Sequence, residues 1–225
     1  YAGMVSCLDD EIGKVVAALD KKGLRENTLI LFHSDNGGTT NPMFAGQMAD
    51  LSKTKLPCDN GPYRDGKGTL FEGGSRVAAC ANWPGKIKAQ TVDSIIHAVD
   101  LYPTLVSLCG LTMPPGLQGR DLTPLLMVPD HPWEGGAITQ ILRPADARLP
   151  EPVMGRSLRT ERWRYTEWNG GAAGRELYDH ERDPQEFHNL AETEEAKSVI
   201  RELKPLLETR AEAMPPPTPV NPGRL

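Results

Sequence analysis

The segment Thr28-Leu29-Ile30-Leu31-Phe32-His33-Ser34-Asp35-Asn36-Gly37-Gly38 decides the fold. Its first five residues are an unbroken apolar run, the pattern of a strand buried on both faces of a helix-covered parallel sheet. Upstream, Met4, Leu8, Ile12, Val15, Val16 and Leu19 recur at steps of three and four among Asp9, Asp10, Lys14, Asp20 and Lys21. That spacing predicts an amphipathic helix closed by Gly23, whose task is packing. Helix, tight link and buried strand make an α/β unit, and open α/β sheets place their sites at the carboxyl ends of such strands.

Downstream, Thr39 to Gly66 shows little periodicity, and a connection of that length in a compact domain is usually functional or mobile. Val77 to Trp83 reads as a strand closed by Pro84-Gly85, and Ile95 to Val99 as a shorter one. A helix follows to Cys109 with Pro103 in its first turn, where a missing N–H is harmless. Composition shifts at Met113-Pro114-Pro115-Gly116. Beyond it, Ala137 to Leu142, Gly155 to Arg159, Trp163 to Trp168 and Glu176 to Tyr178 are short strands of a small antiparallel sheet, with Trp163, Tyr165 and Trp168 expected in its core. Glu192 to Ala213 is a charged helix that Pro205 should bend or restart. The expected organisation is an α/β domain over residues 1–128, an α+β subdomain over 129–213 and a Pro-rich tail over 214–225.

The 225 residues carry a net charge of −5 with no basic run, which disfavours nucleic acid or an anionic membrane as partner. No apolar stretch approaches the roughly 18 residues a membrane span needs. The chain opens Tyr1-Ala2-Gly3-Met4 without an initiator Met or an apolar leader, and reads as a piece of something longer. Cys7, Cys58, Cys80 and Cys109 form no C-x-x-C pair, so they indicate no zinc site. Cys7, Cys80 and Cys109, among apolar neighbours, are expected to be small buried hydrophobes.

Two clusters could carry chemistry. Asp35 and Asn36, at a strand end where Gly37 and Gly38 let the backbone turn, offer two hard oxygens that suit Ca²⁺ or Mg²⁺, though Asp-Asn-Gly is also an ordinary turn. In Gly66-Lys67-Gly68-Thr69-Leu70-Phe71-Glu72-Gly73-Gly74 the glycines allow close approach to an oxyanion and Lys67 supplies a point charge, or the lysine is simply solvated on a glycine-rich turn. Glu72 and Arg76 stand four apart, as a helical ion pair does. Other polar residues read as structural: His97 as packed and bonded to backbone, Asp100 as the N-cap of the Leu101 helix, and His131, His180 and His188 as surface groups.

These clusters, with Asp9-x-x-x-Gly13, Trp83-Pro84-Gly85, Asp100-Leu101-Tyr102-Pro103-Thr104-Leu105 and Leu117-x-Gly119-Arg120-Asp121-Leu122, occur in an order that resembles the sulfatases of the arylsulfatase type. Arg162-Trp163-Arg164-Tyr165, Glu176-Leu177-Tyr178-Asp179, Asp183-Pro184, Glu186, Asn189 and Leu190 continue the likeness into that family's C-terminal subdomain. The resemblance implies an alkaline-phosphatase-like mixed sheet flanked by helices, of which this is the later part. It implies that Asp35 and Asn36 are ligands of a divalent cation, usually calcium, that Lys67 contacts the sulfate, and that the parent is a hydrolase of sulfate monoesters on aryl or carbohydrate substrates. His33 stands where the family commonly has a small polar residue.

The family's nucleophile, a Cys or Ser in a C-x-P-S-R-like segment oxidised to formylglycine, has no counterpart here, and neither do the early aspartates of the metal site. The chain therefore looks like a C-terminal half, inactive alone, whose partner is the N-terminal half of the same protein. By analogy with the family its location is periplasmic, extracellular or lysosomal. Two other readings stand beside this one: a phosphodiesterase or phosphonate hydrolase of the same superfamily, and a catalytically dead anion-binding module.

Overall fold

The computed structural model describes residues 1–40, 56, 58–128, 131–145 and 150–212. Most of the 39–65 loop, parts of 129–156 and the tail over 214–225 lie outside the described residues.

Helix α1 (Ala2–Lys21) follows the apolar stripe. It ends at Gly23, whose left-handed φ of 64° lets the N–H groups of Gly23 and Leu24 reach the carbonyls of Asp20 at 3.0 Å and Leu19 at 2.9 Å. Glycine meets that geometry without steric cost. No residue of α1 is buried by the described parts of the chain, and Met4 is 75% exposed.

Strand β1 (Ile30–His33) pairs with β2 (Ala79–Asn82), placing Ile30 opposite Asn82 and His33 opposite Ala79. The pairing is antiparallel, which corrects the parallel expectation. An apolar run reports burial and carries no information on a neighbour's direction. Nor is β1 enclosed on both faces by described residues, since Phe32 and His33 are exposed. Cys7, Cys80 and Cys109 are likewise exposed free thiols and not core residues, because they sit on α1, on β2 and at the end of the third helix, elements whose outer faces the described residues leave open.

A short helix, α2 (Glu72–Ser75), lies between these strands in sequence. The predicted strand over Ile95 to Val99 does not form. Instead the His97 ring Nδ1 accepts from the Val99 N–H at 3.1 Å and Asp100 Oδ2 accepts from the His97 N–H at 2.8 Å, closing a 3-10 turn over Ala98–Asp100. Local side-chain bonds of this kind compete with extended backbone. Helices α3 (Leu101–Leu108) and α4 (Thr123–Met127) follow. They are tied together by Thr104, whose hydroxyl donates to Asp100 O at 2.6 Å and accepts from Leu122 N at 2.8 Å.

The small antiparallel sheet forms as its alternation predicts: β3 (Ala137–Arg143), β4 (Val153–Arg159), β5 (Trp163–Trp168) and β6 (Arg175–Asp179), paired in that order. Register aligns Ile138, Leu158, Tyr165 and Leu177 in one row, which packs with Ala196, Leu203 and Leu207 of helix α5 (Ala196–Glu212). Pro205 lies inside α5 without ending it. Its position is exposed, so water can satisfy the carbonyl that loses its donor. The register that builds the apolar row places Arg159, Arg164 and Tyr178 in a second row, as strand alternation requires. That second row meets α2 through the ionic cluster below. No helix among the described residues is long and apolar enough to cross a membrane.

Candidate functional site

At the end of β1 the Ser34 N–H continues the ladder to Ala78 O at 3.1 Å. The Ser34 hydroxyl donates to Asn36 O at 2.9 Å, and Asn36 Nδ2 donates to Gly37 O at 3.1 Å. The next two residues are fixed to the second cluster. Gly37 N donates to Gly74 O at 3.1 Å, and Lys67 N donates to Gly38 O at 3.1 Å. Asp35 and Asn36 thus sit beside the lysine segment across 29 or more residues of chain.

Glycine makes this crossing possible. A Cβ on Gly37 would land on the Gly73 carbonyl, and one on Gly73 would land on the carbonyls of Arg64 and Asp65. Backbone packs on backbone here, and neither side can retreat by changing a rotamer. Gly37→Ala is expected to lower stability by about 1–3 kcal/mol, the usual cost of overpacking. An unchanged urea midpoint would show the crossing to be looser than described.

The Asp35 carboxylate is exposed and makes no hydrogen bond or ion pair among the described residues. Asn36 is half-buried, and with its amide nitrogen spent on Gly37 O its oxygen is left as an acceptor. One carboxylate and one amide oxygen fit a hard divalent cation, although such ions take six or more oxygens. Lys67 is half-buried between Gly66 and Gly68, the latter at φ 85°. Thr69 closes the same turn, its N–H and hydroxyl both donating to Gly66 O, at 3.1 and 2.8 Å.

A third cluster joins α2 to the small sheet. The Glu72 carboxylate pairs with Arg164, with Arg159 at 3.1 Å and with Arg76 at 3.4 Å, the last as the i, i+4 spacing predicts. Glu186, fully buried, pairs with Arg164 and with the His180 ring at 3.0 Å. One of its carboxylate oxygens accepts the Glu72 N–H at 2.7 Å, and its carbonyl accepts Arg64 Nη1 at 2.6 Å. Glu72, His180 and Glu186 lie within metal-ligating distance of one another. Their lone pairs are nevertheless taken by guanidinium groups, and a cation placed among Arg159 and Arg164 would face two like charges. The cluster is therefore an ionic lock and not a cation site. Burial would raise the Glu72 carboxyl, but Arg164 and Arg159 outweigh it and hold that group below the ordinary glutamate range.

Several expectations change in this light. The His180 side chain is buried, with 6% exposure, and not a surface group. Its Nδ1 faces Arg159 at 2.9 Å and its Nε2 faces Glu186 at 3.0 Å, so both ring nitrogens are engaged inside the cluster. His97 is bonded to backbone as expected. Asp100 occupies the N-cap of α3 but makes no side-chain bond to that helix. It caps the preceding turn, and its other oxygen accepts the Arg120 N–H at 2.8 Å. His33, exposed, contacts only the neighbouring Ser34 O among described partners, at 3.0 Å. Sequence reasoning also missed Asn60, whose side chain bridges the two clusters, and whose only sequence signal is an Asp-Asn-Gly-Pro turn ahead of the lysine.

The Sulfatase family model matches residues 1–111, and the model for the C-terminal region of N-sulphoglucosamine sulphohydrolase matches residues 63–213. N-acetylgalactosamine-6-sulfatase of Rattus norvegicus is 38% identical over 130 residues, covering 56% of this chain and 23% of the rat protein. Arylsulfatase A of Homo sapiens is 39% identical over 121 residues, covering 53% of this chain and 22% of the human protein. The chain thus spans less than a quarter of the length of these curated relatives. A protein solved in complex with its substrate D-glucosamine-2-N,6-O-disulfate superimposes with a TM-score of 0.68 at 25% identity, covering 93% of this chain and 39% of that one. The phosphonate monoester hydrolase of Agrobacterium radiobacter gives 0.67 at 26% identity, covering 94% and 40%. The architecture shared with these structures is alkaline-phosphatase-like. The two family models overlap over the lysine segment and between them take in the Asp35 turn, the ionic lock and the small sheet; on that continuous match this chain belongs to the sulfatase family.

Proposed function

We propose that the chain forms part of a sulfuric ester hydrolase acting on a sulfate monoester of a carbohydrate or aryl substrate. One observation carries this reading. The Lys67 N–H donates to the Gly38 carbonyl, which brings the lysine-bearing loop against the turn that carries Asp35 and Asn36, and a lysine beside two oxygen donors is the combination that a bound sulfate and a divalent cation require. Lys67 binds and orients the sulfate, and its charge faces the negative charge that grows as the S–O ester bond breaks.

The sulfatase family is metal-dependent, and Asp35 and Asn36 would hold the cation, Ca²⁺ or Mg²⁺, whose charge would polarise the sulfate when bound. The remaining ligands and the formylglycine belong, in this reading, to the N-terminal half of the same protein. Residues 1–128 then complete the catalytic domain, and 129–213 are its small subdomain. The disulfated glucosamine held by a structural relative supports a sulfated carbohydrate as substrate.

The Agrobacterium relative favours a second reading, hydrolysis of a phosphonate monoester. Parallel kinetics of the full-length protein on a chromogenic aryl sulfate, a sulfated glucosamine and a phosphonate monoester decide between them, with faster turnover of the sulfates expected. Binding of inorganic sulfate without turnover of any ester would mark a dead anion-binding module. Asp35→Ala in the full-length protein is expected to abolish cation retention, because it removes the one charged ligand this chain supplies. Unchanged metal content by elemental analysis would return Asp35-Asn36-Gly37 to an ordinary turn.

A further inference from the structure

We propose that Asn60 is a positioning residue that fixes the separation between the cation pair and the sulfate-binding lysine; the inference rests on the sulfatase reading. Asn60 Oδ1 accepts the Gly38 N–H at 2.8 Å, while Nδ2 donates to Gly38 O and to Asp65 O, both at 2.8 Å. Both hydrogen-bonding groups of Gly38 are thus gripped by one side chain. Gly38 lies two residues after Asn36, and its carbonyl also receives the Lys67 N–H at 3.1 Å. Asn60 and Lys67 therefore meet on one oxygen.

The second amide proton holds the other end. Asp65, two residues before Lys67, has a left-handed φ of 64°, a conformation that costs free energy for any residue with a Cβ. Its carbonyl is held by Asn60 Nδ2, so the strained residue that aims the lysine loop is clamped by the same amide that grips the cation turn. One acceptor and two donors on a short planar group is a set that asparagine alone provides at this reach. Facing one N–H and two carbonyls, the amide can take only this orientation. Asp in its place keeps the acceptor but sets a carboxylate oxygen against the carbonyls of Gly38 and Asp65.

The test is steady-state kinetics of the full-length protein on a chromogenic aryl sulfate, with Asn60→Asp, Asn60→Ala, Lys67→Ala and the Asn60→Ala/Lys67→Ala double variant, alongside thermal melting of each. We expect kcat/KM to fall about 10- to 100-fold in both Asn60 variants, the range typical of groups that orient ligands from behind, with melting temperatures close to that of the parent. We also expect the double variant to be little worse than Lys67→Ala, since a residue that acts by aiming Lys67 has nothing left to aim. Near-parental rates, losses that multiply in the double variant, or losses that follow a lowered melting temperature would each overturn the positioning role. If the parent turns over no sulfate ester at all, the sulfatase reading itself falls, and the inference falls with it.

Discussion

Replacing Arg164 with methionine is expected to destabilise the fold by about 3–5 kcal/mol, the cost of breaking a buried ion pair from one side. Arg164 is 1% exposed and holds two carboxylates at once, Glu72 on α2 and Glu186 before α5. Its Nη1 and Nη2 also donate to the hydroxyls of Ser157 and Ser75, each at 3.3 Å. Methionine keeps much of the packing volume and removes all of these bonds. Arg159 and Arg76 still face Glu72, but Glu186, fully buried, keeps only the His180 ring in place of a guanidinium, which is poor compensation for a buried anion. Urea denaturation gives the answer, and a loss below 1 kcal/mol would mean that the lock is wetter than described. Neutralising the acids as well, in Arg164→Met/Glu72→Gln/Glu186→Gln, should recover part of the loss, because the unpaired charges, and not the missing contacts, carry most of it.

The same lock makes the stability of the fold depend on pH through Glu72. The Glu72 carboxyl is held below its ordinary range in the folded chain, burial opposing and Arg164 and Arg159 prevailing. A carboxyl so lowered contributes its full stability above the pKa it has in the unfolded chain, and that contribution drains away as pH falls through the folded value. With Arg164 replaced, the balance shifts toward burial and the proton becomes welcome. The stability gap between parent and Arg164→Met is therefore expected to narrow as pH is lowered through the carboxylate range.

Elements whose identity depends on their own residues were legible before the structure. The short apolar stretches between turns in 137–179 predict the four strands, and Tyr165 lies in the apolar row as expected, whereas Trp168 falls on the opposite face of β5, half-buried with its Nε1 on Glu176. The Leu19 to Gly23 stop signal ends α1 at the expected turn. What could not be read depends on residues far apart in sequence. Nothing in Thr28 to Phe32 states that β2 runs the other way. His180, between Asp179 and Glu181 in a turn, reads as a surface residue until Arg159 and Glu186 enclose it. Glu72 shows its helical neighbour Arg76 by spacing, but Arg159 and Arg164 lie 87 and 92 residues away. The Asp35 and Lys67 clusters were each ambiguous on spacing alone, since a turn and a ligand set share the same residues. Their juxtaposition through Gly38 is a tertiary fact, and the same fact brought Asn60 into view.

Lys67→Ala in the full-length protein is expected to cut turnover of a sulfate ester about 10² to 10³ fold, the effect of removing one donor aimed at developing anionic charge. The fold should change little, because the bond that docks this loop is made by the Lys67 main-chain N–H to Gly38 O and survives any side-chain substitution other than proline. Activity and stability are thereby separated at this position, as they are not at Glu72 or Arg164. Lys67→Arg keeps the charge and is expected to rescue poorly. The residue sits between Gly66, whose hydrogen leaves room for the Gly38 carbonyl, and Gly68 in a left-handed turn. A wide planar guanidinium set in that place meets the sulfate where a compact ammonium belongs. Near-normal turnover in both variants would make Lys67 a solvated turn residue, and the assignment of sulfate binding to it would be wrong. Loss in Lys67→Ala with full recovery in Lys67→Arg would leave only a requirement for positive charge, without the close approach that the glycines on either side imply.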